Sequence, residues 1–357
     1  ISPVKSLATL PMSISVVGIA IGAIIATKVM SLIGRKYGFI FASIGNLLFS
    51  ILAAYSIMYQ NFILFCFANF FIGIGMAFTH QYRFAAAESV EQSMAPKAIS
   101  IILFGGIISA FLGPSLANYS KDLIGENLYV GSYLALALLT FIPAILFLFY
   151  ESKSKIDTNV EYKGRNYLDI ILQPRFIQAI AASAFGYAIM TFLMTATPIS
   201  MHVMENMSLN KTSIVIQFHV VSMFLPSLVT GHLIKKYGHS NVIYAGVFLY
   251  SITIIASIFE QSFINYMFAL IFLGLGWNFL FISGTSLLVL TYREEEKYKA
   301  QGLNDFIVYS VHAVGSLSAG IFITLTNWKI MNFICIPFMI LIIFATIRAE
   351  ILDKKKS

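Results

Sequence analysis

Eleven runs of mainly apolar residues follow one another along the chain, each close to the 20 or so residues that a helix needs to cross about 30 Å of hydrocarbon. They cover roughly 9–33, 37–58, 62–83, 98–119, 128–150, 176–200, 212–236, 240–260, 264–291, 303–326 and 328–349. No other feature constrains the fold as much. In lipid every backbone N–H and C=O must find an internal partner, and only helices and closed barrels provide one. The runs are continuous rather than alternating with period two, which argues against a barrel. With 58% hydrophobic and 11% charged residues, the chain also lacks the charge needed to cover a soluble globule, about a quarter of residues. An all-α polytopic membrane protein remains.

The formal charge of +7 does not point to nucleic acid, because the basic residues sit in short clusters between apolar runs. Arg35/Lys36, Lys97, Lys153 to Arg175, Lys235/Lys236, Arg293 to Lys299 and Lys354 to Lys356 occupy alternate loops. The positive-inside rule makes those loops cytoplasmic, with residue 1 outside and residue 357 inside. Cys66 and Cys335 lie in separate apolar runs, outside any CxxC or Cys/His cluster, so no metal or cofactor is expected. The expected partners are the lipid bilayer and a small solute; nucleic acid is not among them, and a monomer is expected.

The chain also echoes itself. FIGIGMAF (71–78) returns as FLGLGWNF (272–279) with the same Phe and Gly spacing, 201 residues later. The basic turn at Gly34 is answered near Lys235, and Lys97-Ala98 by Lys299-Ala300, at offsets of about 200 to 204. Two homologous halves follow. Residues 1–150 form an N-terminal bundle with five runs, 151–175 a charged cytoplasmic linker, and 176–357 a C-terminal six-helix bundle. The partner of the run 176–200 would lie upstream of residue 1. The expectation is therefore six helices plus six, with the first helix missing, eleven transmembrane helices present and the chain N-terminally truncated.

Six plus six helices, a charged central linker and a basic turn after the second helix of each half together resemble the major facilitator superfamily of secondary transporters. That family carries GxxxDxxGRK in this turn. Gly34, Arg35 and Lys36 match it, while Thr27 and Ser31 stand at the first Gly and the Asp. In the second half Gly231 and Gly238 match, with Lys235 at the Asp position. GPxxGG of many exporters is half present as Gly113-Pro114, and Asn69 stands where drug exporters carry an Arg. MTATPIS from Met194, HVVSMFLPSLVTGHLIKKYG from His219 and QGLNDF from Gln301 are similar to a bacterial branch in which riboflavin is a suggested substrate. The resemblance implies two bundles related by a pseudo-two-fold, a bacterial inner membrane and a secondary active transporter, not an enzyme, working by rocker-switch alternating access. The solute expected is small and neutral or weakly polar. The alternatives are a proton-coupled drug or metabolite exporter, a flavin-like vitamin uptake permease, and a scaffold or receptor without transport.

Transporters of this kind bind solute near mid-membrane, so polar residues at that depth are the candidates. None of the acidic residues lies in the middle third of a run, which leaves His219 and His312 as the proton-coupling candidates. Asn69, Thr79, Tyr82, Tyr187, Thr191, Thr195, Trp277, Asn278 and Ser283 supply hydroxyls, amides and aromatic faces without fixed charge, and are the substrate-binding set. Gly34, Arg35, Lys36, Arg83, Glu88, Glu91, Lys235, Gly238, Arg293 and Asp305 are expected at a cytoplasmic gate. Asn304 and Asp305 are also read as an N-terminal cap of the run at 303. Gly73, Gly75, Gly113, Pro114, Gly274 and Gly276 are read as helix-packing positions.

Overall fold

At Gly34 the backbone takes φ 79° and ψ 166°, and at Gly238 φ 83° and ψ 160°. These are the positive-φ glycines among the described residues, and they stand 204 apart. A side chain at such a φ meets the following carbonyl, so glycine is needed wherever a helix must turn back within one residue. Gly34 divides the 49-residue α1, Leu10–Met58, into two arms. Each arm is roughly 36 Å long at 1.5 Å per residue, enough to cross a bilayer.

The computed structural model describes residues 10–124, 128–151 and 164–354, the side chain of Pro114 excepted. Most of the charged linker, from Lys153 to Lys163, lies outside the described residues. After α1 come α2 (Phe62–His80), α3 (Tyr82–Glu88), α4 (Ala95–Ser120), α5 (Val130–Leu148), α6 (Tyr167–Ile171), α7 (Pro174–Ile180) and α8 (Gly186–Pro198). The remaining helices are α9 (Leu209–Phe224), α10 (Ser227–Tyr237), α11 (His239–Ile258), α12 (Phe263–Leu288), α13 (Lys297–Leu325), α14 (Trp328–Ile334) and α15 (Ile336–Lys354). π-helical turns at Ala181–Phe185 and Ile199–Met204 continue α7 into α8 and lengthen α8. Counted as unbroken segments, ten helices among the described residues are long and apolar enough to span a membrane. Divided at Gly34, they give the eleven crossings expected, and the chain is a multi-pass, all-α membrane protein.

Local signals start several of these helices. Asn61, Ser208, Ser262 and Asn327 each accept a hydrogen bond from the amide three residues on, at 3.0, 3.3, 3.3 and 3.0 Å. Such caps satisfy one of the amides that a helix start leaves without a partner. The cap read at Asn304 and Asp305 is corrected: α13 begins at Lys297 after a turn of 3₁₀ helix at Glu294–Glu296, so both residues lie inside the helix. A polar residue heading an apolar run resembles a cap; here the helix extends through a polar stretch that tertiary partners satisfy.

The described chain falls into two compact units. Among the described residues, one takes in those of 10–89, 111–164 and 295–309; the other takes in 90–110, 165–294 and 310–354. Each draws mainly on one half of the sequence and adds a helical end from the other. In the first unit Ala26, Met30, Phe39, Ala42, Phe78 and Ala85 form a core cluster. The echoed glycines pack equivalently within their own units. A Cβ on Gly73 would strike the Ser15 carbonyl, and one on Gly75 the Asn46 side chain. In the second unit a Cβ on Gly274 would strike Ser222 Oγ and lie 2.7 Å from the His219 carbonyl, and one on Gly276 would lie 2.5 Å from the Tyr250 ring. Ser15 and His219 stand 204 apart, as do Asn46 and Tyr250. The repeated motif is thus a repeated pair of helix crossings, closed where side-chain bulk is absent.

Candidate functional site

In the first unit, the turn at Gly34 delivers Arg35 into the interior, where it is 0% exposed. Its guanidinium donates to both oxygens of Glu88, Nε at 2.8 Å and Nη2 at 2.5 Å, and Nη2 also donates to Gln301 Oε1 at 2.7 Å. The planar fork suits this paired geometry, which an ammonium cannot reproduce. One ring face of Tyr298 lies 5.2 Å beneath it. Arg83 forms a second ion pair, from Nη2 to Asp305 Oδ1, and Nη1 donates to the Tyr309 hydroxyl at 3.1 Å. Gln81 joins the two pairs, its Nε2 donating to Asp305 Oδ2 at 2.6 Å and its Oε1 accepting from Arg35 Nη1 at 3.5 Å. Lys297 Nζ lies 3.8 Å from Glu88, and the His80 ring stacks on Tyr309 at 4.4 Å. Residues from both halves of the sequence therefore meet inside one unit.

The expected gate residues Gly34, Arg35, Arg83, Glu88 and Asp305 belong to this cluster. Lys36 lies beside it in the chain, half-buried. Glu91, Lys235, Gly238 and Arg293 fall in the second unit, where Glu91, Lys235 and Arg293 are exposed and Lys235 Nζ approaches Met94 Sδ at 3.8 Å. Gln81, Lys297, Gln301 and Tyr309 are not among the expected gate residues. A signal for three of them was present, since Lys297, Gln301, Asp305 and Tyr309 recur every fourth residue and share one face of α13.

The second unit gathers aromatic side chains. Trp277 stacks on Phe281 at 5.0 Å, 11° from parallel, and Tyr187 meets both rings edge-on at 5.4 Å. The His312 ring lies on Tyr187 at 4.5 Å, and Phe224 meets Trp277 edge-on at 5.7 Å. Edge-on and offset contacts of this kind are the favoured arrangements of aromatic quadrupoles. None of the five is a carboxylate, ammonium or guanidinium. Trp277 is 2% exposed, and its Nε1 has no hydrogen-bond partner among the described residues.

Of the other expected substrate residues, Thr191 and Ser283 are buried and Thr195 is half-buried in the second unit. The Ser283 hydroxyl has no partner among the described residues. Asn278 is fully engaged: Nδ2 donates to the Met223 carbonyl at 2.6 Å and to Ser227 Oγ at 2.7 Å, while Oδ1 lies 2.6 Å from Thr230 Oγ1. In the first unit, Asn69 donates to the Phe65 carbonyl at 2.8 Å and accepts from the Tyr133 hydroxyl at 3.2 Å. Tyr82 packs edge-on to Phe39 at 4.8 Å, and Thr79 is exposed. His219 is 0% exposed and lies with Nδ1 2.7 Å from the Leu270 carbonyl, so that nitrogen carries the proton; Nε2 has no partner among the described residues. Gly113 faces open space, and the Pro114 side chain lies outside the description.

Comparisons with known proteins agree with this architecture. A family model described as Major Facilitator Superfamily matches residues 4–259 and, in a second alignment, 184–356. A riboflavin transporter of Brucella anthropi, RfnT, is 34% identical over 340 residues, covering 95% of this chain and 85% of the relative. An MFS-type transporter of Bacillus subtilis, YdeG, is 28% identical over 92% of this chain and 80% of its own. Among solved structures, FucP in an outward conformation superposes with a TM-score of 0.72 at 18% identity over 97% of this chain and 91% of that one. A bacterial homologue of the iron transporter ferroportin, in an outward-facing state, gives 0.76 at 13% identity over 98% and 91%. The helices divided at paired glycines, the twice-used crossings and these matches lead to one conclusion: the chain belongs to the Major Facilitator Superfamily of membrane transporters.

Proposed function

We propose that this transporter carries a planar, largely uncharged heteroaromatic solute, and that riboflavin is a member of the class. The observation that carries the reading is the aromatic cluster of Tyr187, Phe224, Trp277, Phe281 and His312, with ring faces and edges arranged without fixed charge. A flat fused ring gains both burial and quadrupole complementarity against such side chains. Thr191, Thr195 and Ser283 supply hydroxyls in the same unit; Asn69, Thr79 and Tyr82 are proposed as solute contacts within the first unit. The relative named as a riboflavin transporter supports the same class. The test is uptake of radiolabelled riboflavin into liposomes containing the purified protein. Saturable uptake, inhibited by unlabelled riboflavin and lowered at least tenfold by Trp277→Ala, is the expected outcome; uptake equal to empty liposomes overturns the proposal.

In this reading transport proceeds by alternating access between two six-helix bundles joined by the charged linker, without catalysis. The Arg83–Asp305 pair and the Arg35–Gln301 hydrogen bond break and re-form once per cycle, because they tie sequence from one half to sequence from the other. The basic loops support a cytoplasmic side for this cluster, and a bacterial inner membrane is the proposed location. His312, within the aromatic cluster, and His219 are the groups proposed to exchange protons, and the unit of transport is a monomer.

A further inference from the structure

The stripe Leu270, Gly274 and Asn278 on α12 faces the segment 219–230 along its whole length. Leu270 offers its carbonyl to His219, and Gly274 lets the backbone at His219 and Met223 approach. Asn278, one turn further on, meets a break. α9 ends at Phe224 and α10 begins at Ser227, with Pro226 between them. Proline has no N–H, so the helical bond that residue 226 would donate to the Ser222 carbonyl is absent. Order resumes on either side: Leu225 N donates to the Val221 carbonyl at 2.8 Å, and Val229 N and Thr230 N both donate to the Pro226 carbonyl at 2.9 Å.

Asn278 spans this gap. One amide proton reaches the Met223 carbonyl before the break and the other the Ser227 hydroxyl after it. Its oxygen shares the Thr230 hydroxyl proton with the Pro226 carbonyl, at 2.6 and 2.9 Å. The side chain is 0% exposed and both amide protons are committed within the protein. The neighbouring Trp277 meets Phe224, the last residue before the break, and a Cβ on Gly106 would lie 2.6 Å from the Phe224 ring. Phe224 therefore has little room to move while the break is held.

We infer that Asn278 is a positioning residue: it splints the proline break between α9 and α10 and so fixes Phe224 against Trp277 in the aromatic cluster, without itself contacting the transported solute. Two donors and one acceptor on a single rigid amide suit a site with an acceptor before the gap and hydroxyls after it. The role does not depend on riboflavin being the solute, and one arm of the test needs no solute at all.

The experiment compares wild type, Asn278→Ala, Pro226→Ala and the double variant in nanodiscs. Amide hydrogen exchange over 222–230 should rise about tenfold in Asn278→Ala, the scale set by losing roughly one net hydrogen bond or more, with other helices unchanged. The double variant should return to within about threefold of wild type, because residue 226 regains an N–H and the helix closes itself. Riboflavin uptake should follow: Asn278→Ala lowers the maximal rate with KM within about threefold, and Pro226→Ala restores the rate. Exchange at the wild-type level in Asn278→Ala overturns the inference, as does a raised KM that Pro226→Ala leaves unrepaired. If the alanine variant does not fold, Asn278→Leu, close to it in volume, removes both donations. It must then show the same local rise in exchange, and wild-type exchange there sinks the idea. If no riboflavin moves in wild type, the proposed solute falls while the exchange comparison still decides the splint.

Discussion

Replacing Asp305 by Asn preserves its shape and removes the charge that faces Arg83. The two side chains are 1% and 3% exposed, so the Arg83 charge would stay buried without its counter-ion. Breaking a pair at this depth costs about 3 to 5 kcal/mol. The lower end applies, because the amide oxygen of the replacement side chain still accepts from Gln81 Nε2, now 2.6 Å from Asp305. At 1.4 kcal/mol per factor of ten, about 3 kcal/mol shifts the ratio of closed to open clusters by roughly a hundredfold. Ala300, 0% exposed on the same helix, reports the opening once replaced by Cys in a background with Cys66→Ser and Cys335→Ser. Maleimide labelling of that cysteine should accelerate about a hundredfold with Asp305→Asn. Adding Arg83→Met removes the stranded charge, and replacing a buried ion pair by apolar groups is close to neutral, so labelling should fall back to within about tenfold of the starting rate. An unchanged rate in Asp305→Asn, or a double variant that labels as fast as the single, would refute the claim that this pair holds the cluster shut.

Three further outcomes are expected. Gly34→Ala and Gly238→Ala should each destabilise by about 1 to 3 kcal/mol, since both positions hold positive φ with extended ψ, and a drop in Tm in detergent checks this. Gly274→Ala should cost about 1 to 3 kcal/mol through overpacking against Ser222 and the His219 carbonyl, while Gly113→Ala, facing open space, should change Tm little; equal shifts would contradict the crossing geometry. Changing both His219 and His312 to Gln should abolish the pH dependence of riboflavin uptake, and a profile identical to wild type would exclude them as proton carriers.

The helical class and the number of crossings were legible because an apolar run of about 20 residues has one outcome in lipid, whatever its neighbours. The echoed glycines were legible for a similar reason. A missing side chain marks a close approach even when the approaching helix is unknown, and Gly73, Gly75, Gly274 and Gly276 all proved to face one. Arg35, Arg83, Glu88 and Asp305 stood out as charges at the ends of apolar runs. Gln81 did not, since a neutral side chain at a helix end carries no mark until an ionic partner is placed beside it. Asn278 shows the limit from the other side. A buried amide reads equally as a solute ligand or a brace, and only the position of Pro226, 52 residues earlier in the chain, separates them.

By itself, then, the order of residues determined what each segment is: a membrane-crossing helix, a glycine-allowed reversal, a basic loop, a half that repeats. Those properties follow from short-range sterics and from transfer between water and lipid, which act within a few residues. Tertiary structure decided which polar groups satisfy one another, joining Arg83 to Asp305 across 222 positions and Asn278 to Ser227 across 51. A hydrogen bond depends on where two atoms end up within about 3 Å, and only the packed helices bring distant residues to that distance.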